Sequence, residues 1–254
     1  MKAAGAALAL AIAIGTQAMA AEITVFSAGG ARAVMTSLVP DFERRSGHKV
    51  TISFGTPGGM RDKLTQGEAA DVAVVVAAIL PDLEKAGRIV PGSRVEFAAS
   101  HIGVAVRAGA PTLDLSTPEA VKRVILAART VALSDPKAGT QLGATFTGIA
   151  DRHGFGADLR SRTKLVPGPG TDVAEAVARG EADIGVTLIS EILPVAGVAL
   201  GGEVPSEYMN PTVTHAFLVS GARNPETAKA FMDFIKSPEA RKVIEAKGMK
   251  PAKN

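Results

Sequence analysis

Short apolar strands alternate with helix-forming stretches along this chain, and the first two strands each run into a glycine-rich helix start. The strand at 23–26 leads into Ser27-Ala28-Gly29-Gly30, and the strand at 50–54 into Gly55-Thr56-Pro57-Gly58-Gly59. Alternation of this kind specifies an α/β architecture with mainly parallel sheets. A strand that feeds a helix through small residues collects free N–H groups and the positive helix end at one spot. Such a spot favours an anion.

The pattern continues in both directions from these junctions. A helix over 31–45 carries Val34, Leu38 and Phe42 on one stripe, with Gly47 just past its end. Short helices follow at 60–66 and 80–86, and the β-branched run 71–76 reads as a strand covered on both faces. The extended stretch 97–106 suits a crossover into a second lobe. That lobe opens with Ser116-Thr117-Pro118-Glu119, a hydroxyl-capped start with proline at the first helical position. Strands at 130–133, 164–166 and 183–188 then alternate with helices at 140–153 and 172–179, for which Thr140 and Asp172 are the expected caps. A second extended stretch, 212–219, returns to the first lobe. Asn224-Pro225-Glu226-Thr227 opens a final helical pair divided at Ser237-Pro238.

The first residues read as an export signal. Lys2 supplies the positive charge, 3–14 is apolar but too short to span a bilayer, and Ala18-Met19-Ala20 is an A-x-A site. Cleavage after Ala20 is expected. The chain has no cysteine, which excludes a lipoprotein anchor, disulfides and thiolate metal sites. A free periplasmic protein, monomeric and without cofactor, is the expectation.

Composition narrows the partner. With one tyrosine, no tryptophan and 4% aromatics, the chain lacks the rings for sugar stacking or a nucleic-acid platform. The net charge of +3 comes without a dense basic run, which fits a small anion and not nucleic acid. His48, His101, His153 and His215 lie in different elements without ligand spacing, so no metal site is expected. There is no G-x-S-x-G elbow and no P-loop, and no carboxylate pair is singled out, so binding without catalysis is expected.

Several segments resemble, in order and with similar spacing, the periplasmic molybdate-binding proteins of ABC importers. They are Ile23-Thr-Val-Phe-Ser-Ala28, Val50-Thr-Ile-Ser-Phe-Gly-Thr56, Gly67-Glu-Ala-Ala-Asp-Val72, Ser134-Asp-Pro136, Gly180-Glu-Ala-Asp-Ile-Gly185 and Ala228-Lys-Ala-Phe-Met-Asp-Phe-Ile-Lys-Ser-Pro-Glu-Ala240. The resemblance implies a two-lobed type II periplasmic-binding fold with the ligand clamped between lobes joined by two crossing segments. It implies lobe one over 21–103 and 207–254, lobe two over 104–206, and a membrane permease as partner. In that family a tetrahedral oxyanion is held without metal by hydroxyls and backbone N–H groups. The family's hydroxyl positions fall here on Gly30, Pro57 and Leu188, all without a hydroxyl.

The expected ligand shell comprises Ser27, Ala28, Gly29 and Gly30 at the first junction, with Thr56, Pro57, Gly58 and Gly59 at the second. Arg32 and Arg61, just inside the two helices, are placed to fork onto a carboxylate. The second lobe adds Thr140, Gln141, Gly170, Thr171 and Leu188. A di- or tricarboxylate suits this set; a molybdate- or tungstate-type oxyanion is the alternative, and a periplasmic sensing subunit is the other role the same fold allows. Tyr208 either turns to the cleft or packs at the crossing.

Overall fold

The computed structural model describes residues 20–253. The expected signal segment, up to Met19, lies outside them. Chain order begins β1 (Glu22–Ala28), α1 (Arg32–Ser46), β2 (Lys49–Gly55), α2 (Pro57–Thr65), β3 (Val72–Val76), α3 (Leu80–Lys85) and β4 (Val95–Ser100). It continues with β5 (Ile102–Arg107), α4 (Pro118–Ala127), β6 (Val131–Ser134), α5 (Leu142–Arg152), α6 (Gly156–Ser161) and β7 (Thr163–Val166). Then come α7 (Gly170–Ala178), β8 (Ile184–Leu188), α8 (Ile189–Ile192) and β9 (Val198–Glu203). The last elements are β10 (Thr212–Leu218), α9 (Pro225–Phe234), α10 (Pro238–Ala246) and β11 (Met249–Pro251).

Two sheets result, with strand orders β11-β4-β10-β3-β1-β2 and β7-β6-β8-β5-β9. In each, parallel strands (β2, β1 and β3; β7, β6 and β8) are extended by antiparallel ones. The chain passes from the first sheet to the second at His101, between β4 and β5, and returns between β9 and β10. The sheets head the two lobes of the fold. The expected extended stretch 97–106 is therefore two strands in two different sheets. Four elements were not anticipated: α6, α8 and β11 are too short for a hydrophobic period to show, and in β9 Gly201-Gly202 interrupts the apolar pattern.

β3 is buried along its whole length. On one side Val72 and Val74 join Val34, Leu38 and Phe42 of α1 and Phe231 of α9. Phe42 and Phe231 meet edge to face at 5.0 Å. On the other side Ala73, Val75 and Val76 pack with Met60 and Leu64 of α2 and Leu83 of α3. This double cover is why the run 71–76 lacks polar alternation. The carboxylate of Asp71, just before β3, accepts N–H bonds from Thr24 at 2.8 Å, Arg223 at 2.7 Å and Asn224 at 3.0 Å. It ties β1 and the start of α9 together across most of the chain's length. The second lobe has its own cores, around Phe146, Phe155 and Leu133 and around Val173 and Val177.

Candidate functional site

The helix starts of both lobes open onto one cleft of about 1030 Å³. Ala28, Gly29 and Gly30 line it from the end of β1, and Thr56, Pro57, Gly58, Gly59 and Arg61 from the start of α2. Thr140, Gln141, Gly170 and Leu188 line it from the second lobe. Three expected residues lie elsewhere. Ser27 is fully buried and its hydroxyl donates to the Ala28 carbonyl at 3.2 Å. A 3-10 turn over Gly29–Ala31 precedes α1, so Arg32 opens the helix beyond the cleft, with its guanidinium 4.3 Å above the Phe54 ring. Arg32 and Thr171 line a separate hollow of about 670 Å³.

Three of the backbone donors read as free are taken. The Gly58 N–H donates to the Gly139 carbonyl at 2.9 Å, a bond from lobe to lobe. The Gly59 N–H donates to Thr56 Oγ1 at 3.2 Å, an N-cap. The Gly170 N–H donates to Glu191 Oε1 at 3.2 Å. Gly58 sits so close that a Cβ there would come within 3.0 Å of Gly139 Cα, and Gly139 itself has φ +81°. The lobes thus touch through two glycines.

The expected caps of the second lobe shift too. Gln141, not Thr140, occupies the cap position of α5, and the Gly143 N–H there is taken by Ser134 Oγ at 3.1 Å. α7 begins at Gly170, so Asp172 lies inside its first turn without capping it. Gly30 and Leu188, one from each lobe, lie against each other in the cleft. A Cβ on Gly30 would meet Leu188 Cδ1 at 2.7 Å, so the leucine fills the space that the glycine leaves.

Side chains add their own chemistry to the cleft. Arg61 lines the cleft, but its Nε and Nη2 both lie on Asp62 Oδ1, at 3.0 and 2.9 Å, with Asp82 at 3.9 Å. Lys137 and Arg152 also line it. Neither has a carboxylate partner among the described residues; Arg152 reaches only the Gly148 carbonyl, at 3.4 Å. Tyr208 lines the same wall and stacks on His153 at 4.9 Å. Its hydroxyl is buried without a hydrogen-bond partner among the described residues, and burial pushes its pKa up to about 12 against the pull of nearby Arg152.

Glu191 is the residue that sequence reasoning passed over. It lines the cleft while only 6% exposed. Thr187 Oγ1 donates to its Oε2 at 2.8 Å and the Gly170 N–H to its Oε1. Burial raises its pKa above the ordinary 4.5 despite those donors, and Asp172 adds repulsion. A signal existed in the sequence: Glu191 is the sole acid within the apolar run from Ile184 to Pro194. Arg152, in the last turn of an amphipathic helix, offered none. Among the described residues no group of His, Asp or Glu is arranged to hold a metal ion, and no helix is long and apolar enough to cross a membrane.

Two lobes closing on a cleft between strand-to-helix junctions define a solute-binding fold. The family of bacterial extracellular solute-binding proteins matches residues 23–250, and the chain belongs to it. It is 32% identical over 234 residues to an aconitate isomerase of a Pseudomonas species, covering 90% of this chain and 87% of that protein. It is 30% identical over 238 residues to the molybdate-binding protein ModA of Azotobacter vinelandii, covering 91% and 90%. The solved periplasmic molybdate-binding protein of A. vinelandii superposes with a TM-score of 0.75 at 23% identity, covering 91% of this chain and all of that one. The resemblance read from the motifs therefore holds at the level of family and fold.

Proposed function

We propose that this chain captures a small polycarboxylate between its lobes in the periplasm and presents it, in the closed form, to a membrane permease. One observation carries the ligand class. Arg152 and Lys137 face the cleft without carboxylate partners, beside the unpartnered Tyr208 hydroxyl, while the backbone donors at Gly58, Gly59 and Gly170 are already bonded. A carboxylate on Arg152 and Tyr208 and another on Lys137 would complete those groups with charge-assisted bonds. A relative named for aconitate, a tricarboxylate, supports the same class.

The molybdate alternative is weaker on the same grounds. A tetrahedral oxyanion needs many convergent donors, and Gly30, Pro57 and Leu188 supply no hydroxyl. Each lost hydrogen bond to a charged group forfeits about 1.5–3 kcal/mol, so three forfeit roughly 5–9 kcal/mol. Export with cleavage after Ala20 completes the reading.

Calorimetry with cis-aconitate, trans-aconitate, citrate and molybdate tests it. A tricarboxylate is expected to bind at least a hundredfold more tightly than molybdate. Submicromolar molybdate affinity with no polycarboxylate binding overturns the reading.

A further inference from the structure

Glu191 does more than a packed polar residue needs to do. Its carboxyl lies where the two lobes meet: a Cβ on Gly29 of lobe one would stand 3.5 Å from its Oε1, and Gly170 of lobe two donates to the same oxygen. Any side chain at Gly170 would strike this carboxyl and the Thr187 hydroxyl. Glycine at position 170 therefore makes room for the acid.

A structural role would be served better by glutamine. Its amide oxygen would accept from Gly170, and its NH₂ would donate to Thr187 Oγ1, which accepts as readily as it donates. That arrangement has the same shape and no charge to bury. A carboxyl without a cationic partner in a buried place is costly when ionised, and Glu191 has no ion-pair partner among the described residues. The acid brings one capacity that the amide lacks, which is to take up and release a proton. Burial favours the neutral form and so holds the proton more tightly than an exposed carboxyl does.

We propose that Glu191 transfers a proton to and from carbon on an unsaturated polycarboxylate held in the cleft. The proposal rests on the polycarboxylate reading above. The reactive site in such a ligand is a CH₂ between a terminal carboxylate and a C=C. The ionised Glu191 takes one proton from that CH₂. The C–H electron pair spreads over three carbons as an allylic anion delocalised into the flanking carboxylates. Protonated Glu191 then returns the proton to the far allylic carbon, and the double bond reforms one position along.

Atoms and electrons balance with no oxidant, reductant or added water. In a propene tricarboxylate the shift regenerates the same connectivity, so its net result is interconversion of cis and trans forms. The other common route, reversible addition of a thiolate to the double bond, is closed because the chain has no cysteine. Thr187 and the Gly170 N–H are positioning groups, which fix the carboxyl while their hydrogen bonds oppose the rise in its pKa that burial causes.

The test is proton NMR in D₂O with the purified chain and saturating cis- or trans-aconitate, alongside calorimetry. Wild type is expected to exchange the CH₂ hydrogens for deuterium and to produce the opposite isomer. Glu191→Gln should slow both at least a hundredfold at saturation. Thr187→Val should slow them about tenfold, through loss of carboxyl placement. Glu191→Asp, which keeps the acid but withdraws it by a methylene, should retain measurable exchange and serves as the second variant if the glutamine form fails to fold. Wild type that binds aconitate without exchange, or Glu191→Gln that exchanges within threefold of wild type, overturns this proposal and leaves the polycarboxylate reading standing. Absence of binding by wild type overturns both.

Discussion

Each lobe buries a carboxylate, and the two serve different ends. Asp71 in the first lobe is 3% exposed and Glu191 in the second 6%. Asp71 accepts from three backbone N–H groups, Thr24, Arg223 and Asn224, drawn from both ends of the chain, and it does not line the cleft. Glu191 accepts from the Gly170 N–H and the Thr187 hydroxyl of its own lobe, and it does line the cleft. Burial alone therefore does not classify an acid. The origin of its donors does: backbone donors from remote segments make a clasp, whereas a hydroxyl and a helix start beside a cavity make a held but reachable group.

The largest expected effect falls on the clasp. Asp71→Ala leaves three N–H donors without their acceptor, and about 3 kcal/mol or more of stability should be lost. For a chain of this size that is a fall of roughly 6–12 °C in Tm. Calorimetric melting checks it, and a change under 3 °C would remove the distinction drawn above.

Next comes the cleft's charge. Arg152→Ala should weaken tricarboxylate binding by about 1.5–3 kcal/mol, a factor of at least ten. Arg61→Ala, whose fork Asp62 already holds, should change it less than threefold. Arg32→Ala, with its guanidinium over Phe54, should not change it. Titration calorimetry on the three variants ranks them directly, and a dominant Arg61 would return the ligand to the α2 helix start.

Closure is a smaller lever. Gly58→Ala places a Cβ against Gly139 Cα and its carbonyl oxygen, at 3.0 and 3.1 Å. The cost of such overpacking is about 1–3 kcal/mol, part of which the lobes relieve by opening. Small-angle scattering should show a larger radius of gyration for the liganded variant than for liganded wild type.

The finest test compares the pH dependence of stability. The pKa of Glu191 is raised in the folded chain, so between 4.5 and that raised value the folded state holds a proton that the unfolded state has lost. The associated stability is fully present below 4.5 and disappears as pH rises through the folded value. The melting temperature of wild type relative to Glu191→Gln should therefore fall as pH rises from 4 to 8. Exposed Glu181 has the opposite sign. Hydrogen bonds first from Arg179 and then from Lys164 lower its pKa to about 2, so its contribution is present above 4.5 and fades as pH drops toward 2. A flat difference between wild type and Glu191→Gln would mean that Glu191 is as accessible to water as Glu181.

Much of the fold was legible because its signals are local. The Thr56-Pro57 and Thr117-Pro118 helix starts carry their own capping hydroxyls, at 3.2 and 3.1 Å from the N–H groups they cap. The unbroken run of β3 announced a strand covered on both faces. The site was less legible, for two reasons. A free N–H in sequence is only an N–H without a local partner; Gly58 and Gly170 find theirs in Gly139 and Glu191, residues remote in sequence. Side-chain direction also depends on a single turn, and the 3-10 turn at Gly29–Ala31 was enough to carry Arg32 away from the cleft.

By itself, the sequence determined the order of the main strands and helices, the small residues at the junctions and the absence of thiols, since these follow from period, backbone preference and composition. The tertiary structure decided which donors are occupied, which cations stay free and which acid faces the cavity. Those properties belong to pairs of residues brought together from distant parts of the chain, and no single position carries them.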